Sequence, residues 1–387
     1  MINKNDQFKI WAIERYLSGE KPISIVKSFG KSKSWFYKWL SRYDKNNSLW
    51  YKEKSKSPKE KLSKTSCIIE EAVKIIRLHL YNNGLFYGAQ AIQWEFKDMN
   101  IKPIPSLRTI NRILQRNNLT HRRTGKYIPK GTAYPKLIAD FPNHIHQADF
   151  VGPLYLSGPI KFYSLNVMDI ATSRCGIQPL FSCNSQNSID SLWSIWWRLG
   201  IPKYLQVDNE LAFYGSNRYP RAMGALIRLC LLNNVEPWFT PVREPWRNGV
   251  VEKFNDHYRQ KFLNKITICS EDQLFKESLQ YENRHNNEYR YSKLKGNTPM
   301  KSLLTSTVNL RFPNKKEAPK LPLPKPETGC YHFIRLIRSD LCLSIFTEKF
   351  YLPSDLMYEY VIATVNVKEQ KLKIFHNNKQ VEEYIYK

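Results

Sequence analysis

His146-Gln147-Ala148-Asp149-Phe150-Val151-Gly152-Pro153 opens the stretch whose reading decides the fold of this chain. It lies within an apolar and aromatic run, 144–156, and two more such runs follow at 162–170 and 174–181. Gly158-Pro159 and Ala171-Thr172-Ser173 punctuate them, so three consecutive strands are predicted. The period then becomes helical over 185–198, where Ile189, Leu192, Trp193, Trp196 and Trp197 share one side, the spacing of a helix packed on a sheet. A strand over 204–207, a helix over 222–233, a strand over 235–240 and a helix over 248–263 complete the order βββαβαβα. That order implies an antiparallel meander followed by two right-handed crossovers, a mixed five-stranded sheet with helices on both faces.

Three acids stand at telling places in this scheme. Asp149 sits in the first strand. Asp208, in Tyr204-Leu205-Gln206-Val207-Asp208-Asn209, ends the fourth strand at its carboxyl edge, where open α/β sheets place their sites. Glu252, in Pro245-Trp246-Arg247-Asn248-Gly249-Val250-Val251-Glu252-Lys253-Phe254-Asn255, lies one turn into the last helix. If the topology holds, all three converge. Carboxylates gathered in one apolar neighbourhood raise each other's pKa unless cations neutralise them. Hard divalent ions with oxygen ligands do so, and Mg²⁺, with Mn²⁺ as a substitute, suits phosphate. Two such ions would clamp the entering and leaving oxygens of an in-line phosphodiester substitution. Asp149 is then expected to bridge both ions, Asp208 to hold one and Glu252 the other.

Helical spacing puts Glu252, Asn255 and Arg259 on one stripe and Val251, Phe254, Tyr258 and Phe262 toward the core. Asn255 and Arg259 are therefore expected to face DNA, and Asn248-Gly249 to bring backbone N–H groups near its phosphates. Asp169 is expected to cap a turn, His144 and His146 to be half-exposed structural residues, and Trp246 to pack onto the sheet.

Charge points to the same class of partner. A chain of 387 residues with a net charge of +26 repels itself unless a polyanion relieves it. A hydrophobic content of 42% is ample for folded domains. No apolar run reaches membrane-spanning length, and residues 1–11 lack the apolar segment of a signal peptide. A cytoplasmic, nucleoid-associated protein without membrane partners is expected. Seven scattered cysteines without a Cys-x-x-Cys pair argue against both a zinc finger and a disulfide framework.

The flanks divide by composition. Residues 1–45 read as a helix-turn-helix domain whose third helix turns Lys33, Tyr37, Lys38 and Arg42 outward, the side chains expected against phosphates and base edges. A basic linker covers 46–65; residues 1–65 hold 16 Lys and Arg against 6 Asp and Glu. A second helix-turn-helix domain is placed at 66–122, with Arg108, Asn111, Arg112 and Gln115 outward on its third helix. Arg122, at the end of that domain, and Arg123, at the start of a basic connector over 123–141, are further expected DNA contacts. The catalytic domain is set at 142–305, a Pro- and Lys-rich extended linker at 306–327 and a small β-barrel at 328–387, its Lys368, Lys371, Lys373 and Lys379 available to DNA or a partner subunit.

Asp149 in His-x-Gln-x-Asp-Phe-x-Gly-Pro, Asp208-Asn209, and Pro-x-x-Asn-Gly-x-x-Glu-x-Phe-Asn together resemble the DDE signature of bacterial insertion-sequence transposases and retroviral integrases. The resemblance spans about 142–290. It implies a ribonuclease-H-like core, dependence on Mg²⁺, and cleavage at element ends followed by strand transfer into target DNA. It also implies double-stranded DNA and further copies of the chain, assembled on DNA, as partners; an accessory protein is a further candidate. Two features depart from the pattern. The interval from Asp208 to Glu252 is longer than is typical of the family, with the surplus expected at 213–220. The zinc-binding N-terminal module of retroviral integrases is replaced by the helical units. A silent DNA-binding regulator and a nuclease that only hydrolyses stand as alternatives.

Overall fold

In the computed structural model, residues 4–54, 65–120, 134–156, 160–215, 221 and 223–386 are described. The chain divides into two compact units, Met1–Thr65 and Ser66–Lys387.

The described residues of the first unit form three helices, α1 (Lys4–Leu17), α2 (Pro22–Phe29) and α3 (Lys33–Leu40). Pro22 starts α2, where a missing N–H costs nothing. Gly30 ends it at φ 60, a left-handed position that glycine takes without strain. Ser32 caps α3 by accepting the Trp35 N–H at 3.2 Å. Ala12, Ile13, Ile25, Val26 and Phe36 form the core. Lys33, Tyr37 and Lys38 are exposed and Arg42 is half-exposed. Lys38 and Arg42 both reach Glu53 at 3.3 Å, so part of this basic face is already engaged by the chain's own acid.

The second unit begins with α4 (Cys67–Asn82), α5 (Ala89–Asp98) and α6 (Leu107–Arg116). Ser66 and Ser106 cap α4 and α6. Ile76, Ile92, Phe96, Ile110 and Ile113 pack between the three. Arg108, Asn111, Arg112 and Gln115 are exposed on the outer side of α6. This bundle is not a free-standing domain. Tyr289 donates to the Gly84 carbonyl at 2.7 Å, and Lys261 lies 4.4 Å over the Phe86 ring. Arg122, Arg123, half of the 46–65 basic linker and much of the surplus loop after Phe213 fall outside the described residues.

There follow β1 (Ile145–Tyr155), β2 (Lys161–Asp169), β3 (Cys175–Leu180), α7 (Ser185–Leu199), β4 (Tyr204–Val207), α8 (Leu211–Tyr214), α9 (Ala225–Leu232), β5 (Glu236–Phe239) and α10 (Gly249–Lys261). After α11 (Glu271–Glu288) and α12 (Pro299–Leu304) come β6 (Cys330–Leu336), β7 (Cys342–Ile345), β8 (Glu348–Tyr351), β9 (Tyr360–Asn366), β10 (Lys371–His376) and β11 (Lys379–Ile385). β1, β2 and β3 form the antiparallel meander, and β4 and β5 add in parallel beside β1. Helices α7 and α9 cover one face of the sheet, α10 and α11 the other.

The sheet does not stop at five strands. It runs β11-β10-β9-β6-β5-β4-β1-β2-β3, nine in all, because β6 pairs in parallel with β5 at Trp238↔His332 and Phe239↔Phe333. The separate C-terminal barrel expected from the sequence is therefore not what forms. Tyr331, Phe333, Val361 and Ile374 bury into the same apolar layer as Leu205 and Leu226. Among the described residues, only the β7–β8 hairpin lies outside the large sheet. Lys371 and Lys373 are paired with Glu383 and Glu369 rather than waiting for a partner.

The expected extended linker is also corrected, because it is strapped to the sheet's helices. Ile201 N–H donates to the Arg311 carbonyl at 2.7 Å, Trp193 Nε1 to Lys315 at 2.9 Å, and Leu321 N–H to Gln186 Oε1 at 2.9 Å. Trp193 and Trp196 are core, while Trp197 is exposed, against its placement on the packed side.

Candidate active site

Asp149 projects from the middle of β1, opposite Asn166 of β2. The strand bulges just beyond it, between Val151 and Leu154, at Gly152. There φ is +147, and a Cβ would stand 2.6 Å from the Tyr163 ring, so the motif glycine answers to backbone geometry. Asp208 follows β4, and its Oδ1 accepts the Glu210 N–H at 3.0 Å.

The N-terminus of α10 is fixed to β1 by side chains whose part the sequence did not reveal. Gln147 Oε1 accepts the N–H groups of Val250 and Val251 at 3.1 and 3.2 Å. Asn248, buried, donates to the Ala148 carbonyl at 3.0 Å. Gln206 Nε2 donates to the Arg247 carbonyl at 3.0 Å. These bonds correct two expectations. Asn248 is a structural tie rather than a DNA contact, and the Val250 and Val251 N–H groups are spent inside the protein. An unpaired amide would be costly there, so burial selects an internal partner.

Asn255 is corrected likewise. It is buried and donates through Nδ2 to Asp149 Oδ2 at 2.7 Å. Asn166 Nδ2 donates to Asn255 Oδ1, and Ser164 Oγ to Asn166 Oδ1, each at 2.8 Å. The series runs Ser164, Asn166, Asn255, Asp149, every donor aimed toward the carboxylate. Arg259 is exposed and lines a hollow of about 400 Å³ with Asp149, Glu252, Asn255 and Asp256. Val251, Phe254, Tyr258 and Phe262 are buried on the opposite side of α10.

The acids act on one another through their charge. Burial first, then Asp208, Glu210 and Glu252 push the Asp149 carboxyl up to about 7, against the Asn255 hydrogen bond. Burial raises Asp208 as well. Glu252 is raised by burial, then by Asp256 and Asp208. Glu210, which the sequence reading passed over, is pushed up to about 7 by burial and Asp208. Its position two residues beyond Asp208 was the available signal.

The donor set, all carboxylate oxygen, suits a hard divalent cation. Among the described residues, however, no group of three or more His, Cys, Asp or Glu is gathered closely enough to hold a metal ion. The preformed two-ion pocket expected from the sequence is thus not present among them. Like charges oppose such a gathering, and Asp149 is held toward Asn255.

Asp169 is buried and accepts the Ala171 N–H at 3.1 Å and the Thr172 hydroxyl, a turn cap. His146 is fully buried rather than half-exposed, bonded to Asn143 Oδ1 at 3.0 Å, and burial lowers it to about 3. His144 is half-buried and stacks on Phe141. Trp246 is 54% exposed, not packed on the sheet, because Arg247 takes the inner place. The Arg247 guanidinium lies 3.9 Å over the Tyr134 ring and bonds Glu244 and the Tyr360 hydroxyl, each at 2.8 Å.

No protein-family profile matches the chain, and no curated protein does. Among solved structures it is similar to retroviral integrase catalytic cores. One is the HTLV-2 integrase catalytic core domain in complex with magnesium, trimeric form, with TM-score 0.33, 18% identity, and coverage of 42% of this chain and 96% of that chain. The dimeric form of the same domain gives 0.31 and 18%, with 42% and 97% covered. A chain of the simian T-cell lymphotropic virus intasome in complex with PP2A regulatory subunit B56 gamma gives 0.38 and 15%, with 76% and 88% covered. Among the described residues, no helix is long and apolar enough to cross a membrane.

Proposed function

We propose that this chain is a DNA strand transferase of the DDE transposase type, which binds the terminal inverted repeats of a mobile element, frees their 3′ ends and joins them to target DNA. The observation that carries this reading is that Asp149 and Glu252 line one open hollow, with Asp208 near enough for its charge to raise both carboxyls. Such a buried excess of negative charge is unfavourable by itself and is relieved by cations. Asp149, Asp208 and Glu252 are the residues that would hold Mg²⁺, and DNA binding would draw them together. Bound there, Mg²⁺ supplies Lewis-acid stabilisation of the phosphate undergoing substitution. Asn255 orients Asp149, and Arg259 offers a guanidinium to the neighbouring backbone phosphate. Two helical elements are assigned to the DNA: α3, through Lys33, Tyr37, Lys38 and Arg42, and α6, through Arg108, Asn111, Arg112 and Gln115. The protein would act as a multimer assembled on two element ends.

The test pairs a gel shift on element-end DNA with a Mg²⁺-dependent joining assay. Asp208→Asn and Glu252→Gln should each abolish joining and leave end binding within about twofold of wild type, a change under roughly 0.5 kcal/mol. Full joining activity in either variant overturns that residue's role.

A further inference from the structure

The backbone from which Asp208 projects is braced from a distant part of the chain. Asn209, the next residue, donates through Nδ2 to the Thr240 carbonyl at 2.6 Å, linking the carboxyl ends of β4 and β5. Arg335 of β6 closes the same link from the far side. Its Nη2 donates to Asn209 Oδ1 at 2.8 Å and its Nη1 to the Thr240 carbonyl at 3.0 Å. The guanidinium is itself held, with Nε on the Ser344 carbonyl at 3.2 Å and Nη1 also on Ile334 at 2.9 Å. The parallel pairing of β5 with β6 brings it there. Only a planar fork of donors reaches two acceptors on two strands at once; an ammonium does not reproduce that geometry.

We propose that Arg335 is a positioning residue of the acidic site, acting through Asn209 to fix the backbone that aims Asp208, so that the C-terminal strands are an integral part of that site. This rests on the reading of Asp208 as a metal-holding residue. Arg335 touches no reacting atom; it sets where a carboxylate stands, as outer partners of ligating residues do.

Mn²⁺ binding to the full chain on element-end DNA, followed by the loss of its free-ion paramagnetic signal and corrected for uptake by the DNA alone, tests the idea through metal binding rather than turnover. Wild type should bind Mn²⁺ and Asp208→Asn should lose that binding. Arg335→Gln should weaken it roughly 10–100-fold, the usual cost of removing an outer partner. Arg335→Lys, which keeps charge and bulk, should be weakened nearly as much. Asn209→Ala should lose a similar factor, and Asn209→Ala with Arg335→Gln no more than either alone, because both act through one link. Matched circular dichroism and melting temperature in Arg335→Lys and Asn209→Ala separate positioning from unfolding. Wild-type affinity in both Arg335 variants, with Asp208→Asn defective, overturns the inference and leaves the proposed function standing. Binding unaffected by Asp208→Asn overturns the proposed function and the inference with it.

Discussion

Replacing Asp149 with an asparagine should stabilise the metal-free protein, by an amount that grows as pH rises from 3.8 to about 7. Folding moves this carboxyl from an ordinary 3.8 to about 7. At about 1.4 kcal/mol per pH unit, its ionised form is disfavoured by roughly 4 kcal/mol, which screening at a half-buried site reduces to about 2–4. Because the folded pKa lies above the unfolded one, the folded state keeps the proton between those limits and the unfolded state does not. Stability therefore falls as pH rises through that window and reaches its floor above it. The neutral amide in Asp149→Asn carries no such penalty, yet its oxygen still accepts from Asn255. Urea unfolding of Asp149→Asn and wild type, both stripped of metal, should show a gain at pH 8 exceeding the gain at pH 5 by about 2–3 kcal/mol. Adding Mg²⁺ at pH 8 should stabilise wild type and leave Asp149→Asn unchanged. A variant no more stable than wild type at pH 8, or a gain independent of pH, would refute the reasoning.

Three further outcomes follow from the same geometry. Asn255→Leu removes a hydrogen bond that favours ionised Asp149, so the acid limb of the joining rate should move to higher pH by about one unit, read from a pH–rate profile. Tyr360→Phe deletes the hydroxyl shared by Glu244 and Arg247; unfolding should show a loss of about 1–2 kcal/mol, and joining should fall more than end binding. With a net charge of +26, affinity for element-end DNA should drop by about 10³-fold or more between 50 and 200 mM salt, measured by fluorescence anisotropy; a flat profile would remove phosphate contact as the source of binding.

The meander, the two crossovers and the place of each acid were legible because they depend on local pattern. Strand texture around Asp149, the turn at Ala171-Thr172-Ser173 and the stripe Val251, Phe254, Tyr258 are written in neighbouring residues. What escaped depends on distant pairing. Nothing near Phe333 says that β6 will dock beside β5, so residues 328–387 read as a small barrel of their own. Likewise Asn248 and Asn255 look like surface amides until their partners, Ala148 and Asp149, a hundred residues away, are in place. An amide suits DNA and a buried carboxylate equally well, and only burial decides between them. Glu210 escaped for another reason: its charge matters through proximity to Asp149 and Asp208, not through any motif.

These long-range ties explain how an unfavourable group of acids can be kept in a stable fold. The amides of Asn166 and Asn255 deliver hydrogen bonds toward Asp149 from the β2 and α10 side. Arg335 and Tyr360 brace the Asp208 loop and the turn into α10 from the C-terminal strands. Neither set neutralises the acids, since Asp149 and Glu210 remain near 7. The frame therefore holds the Asp149 carboxylate and the backbone beside Asp208 in place while leaving the charge for something else to satisfy. Under the proposed function a cation with a phosphodiester would meet that need, whereas an internal lysine or arginine ion-paired with Asp149 would have removed it.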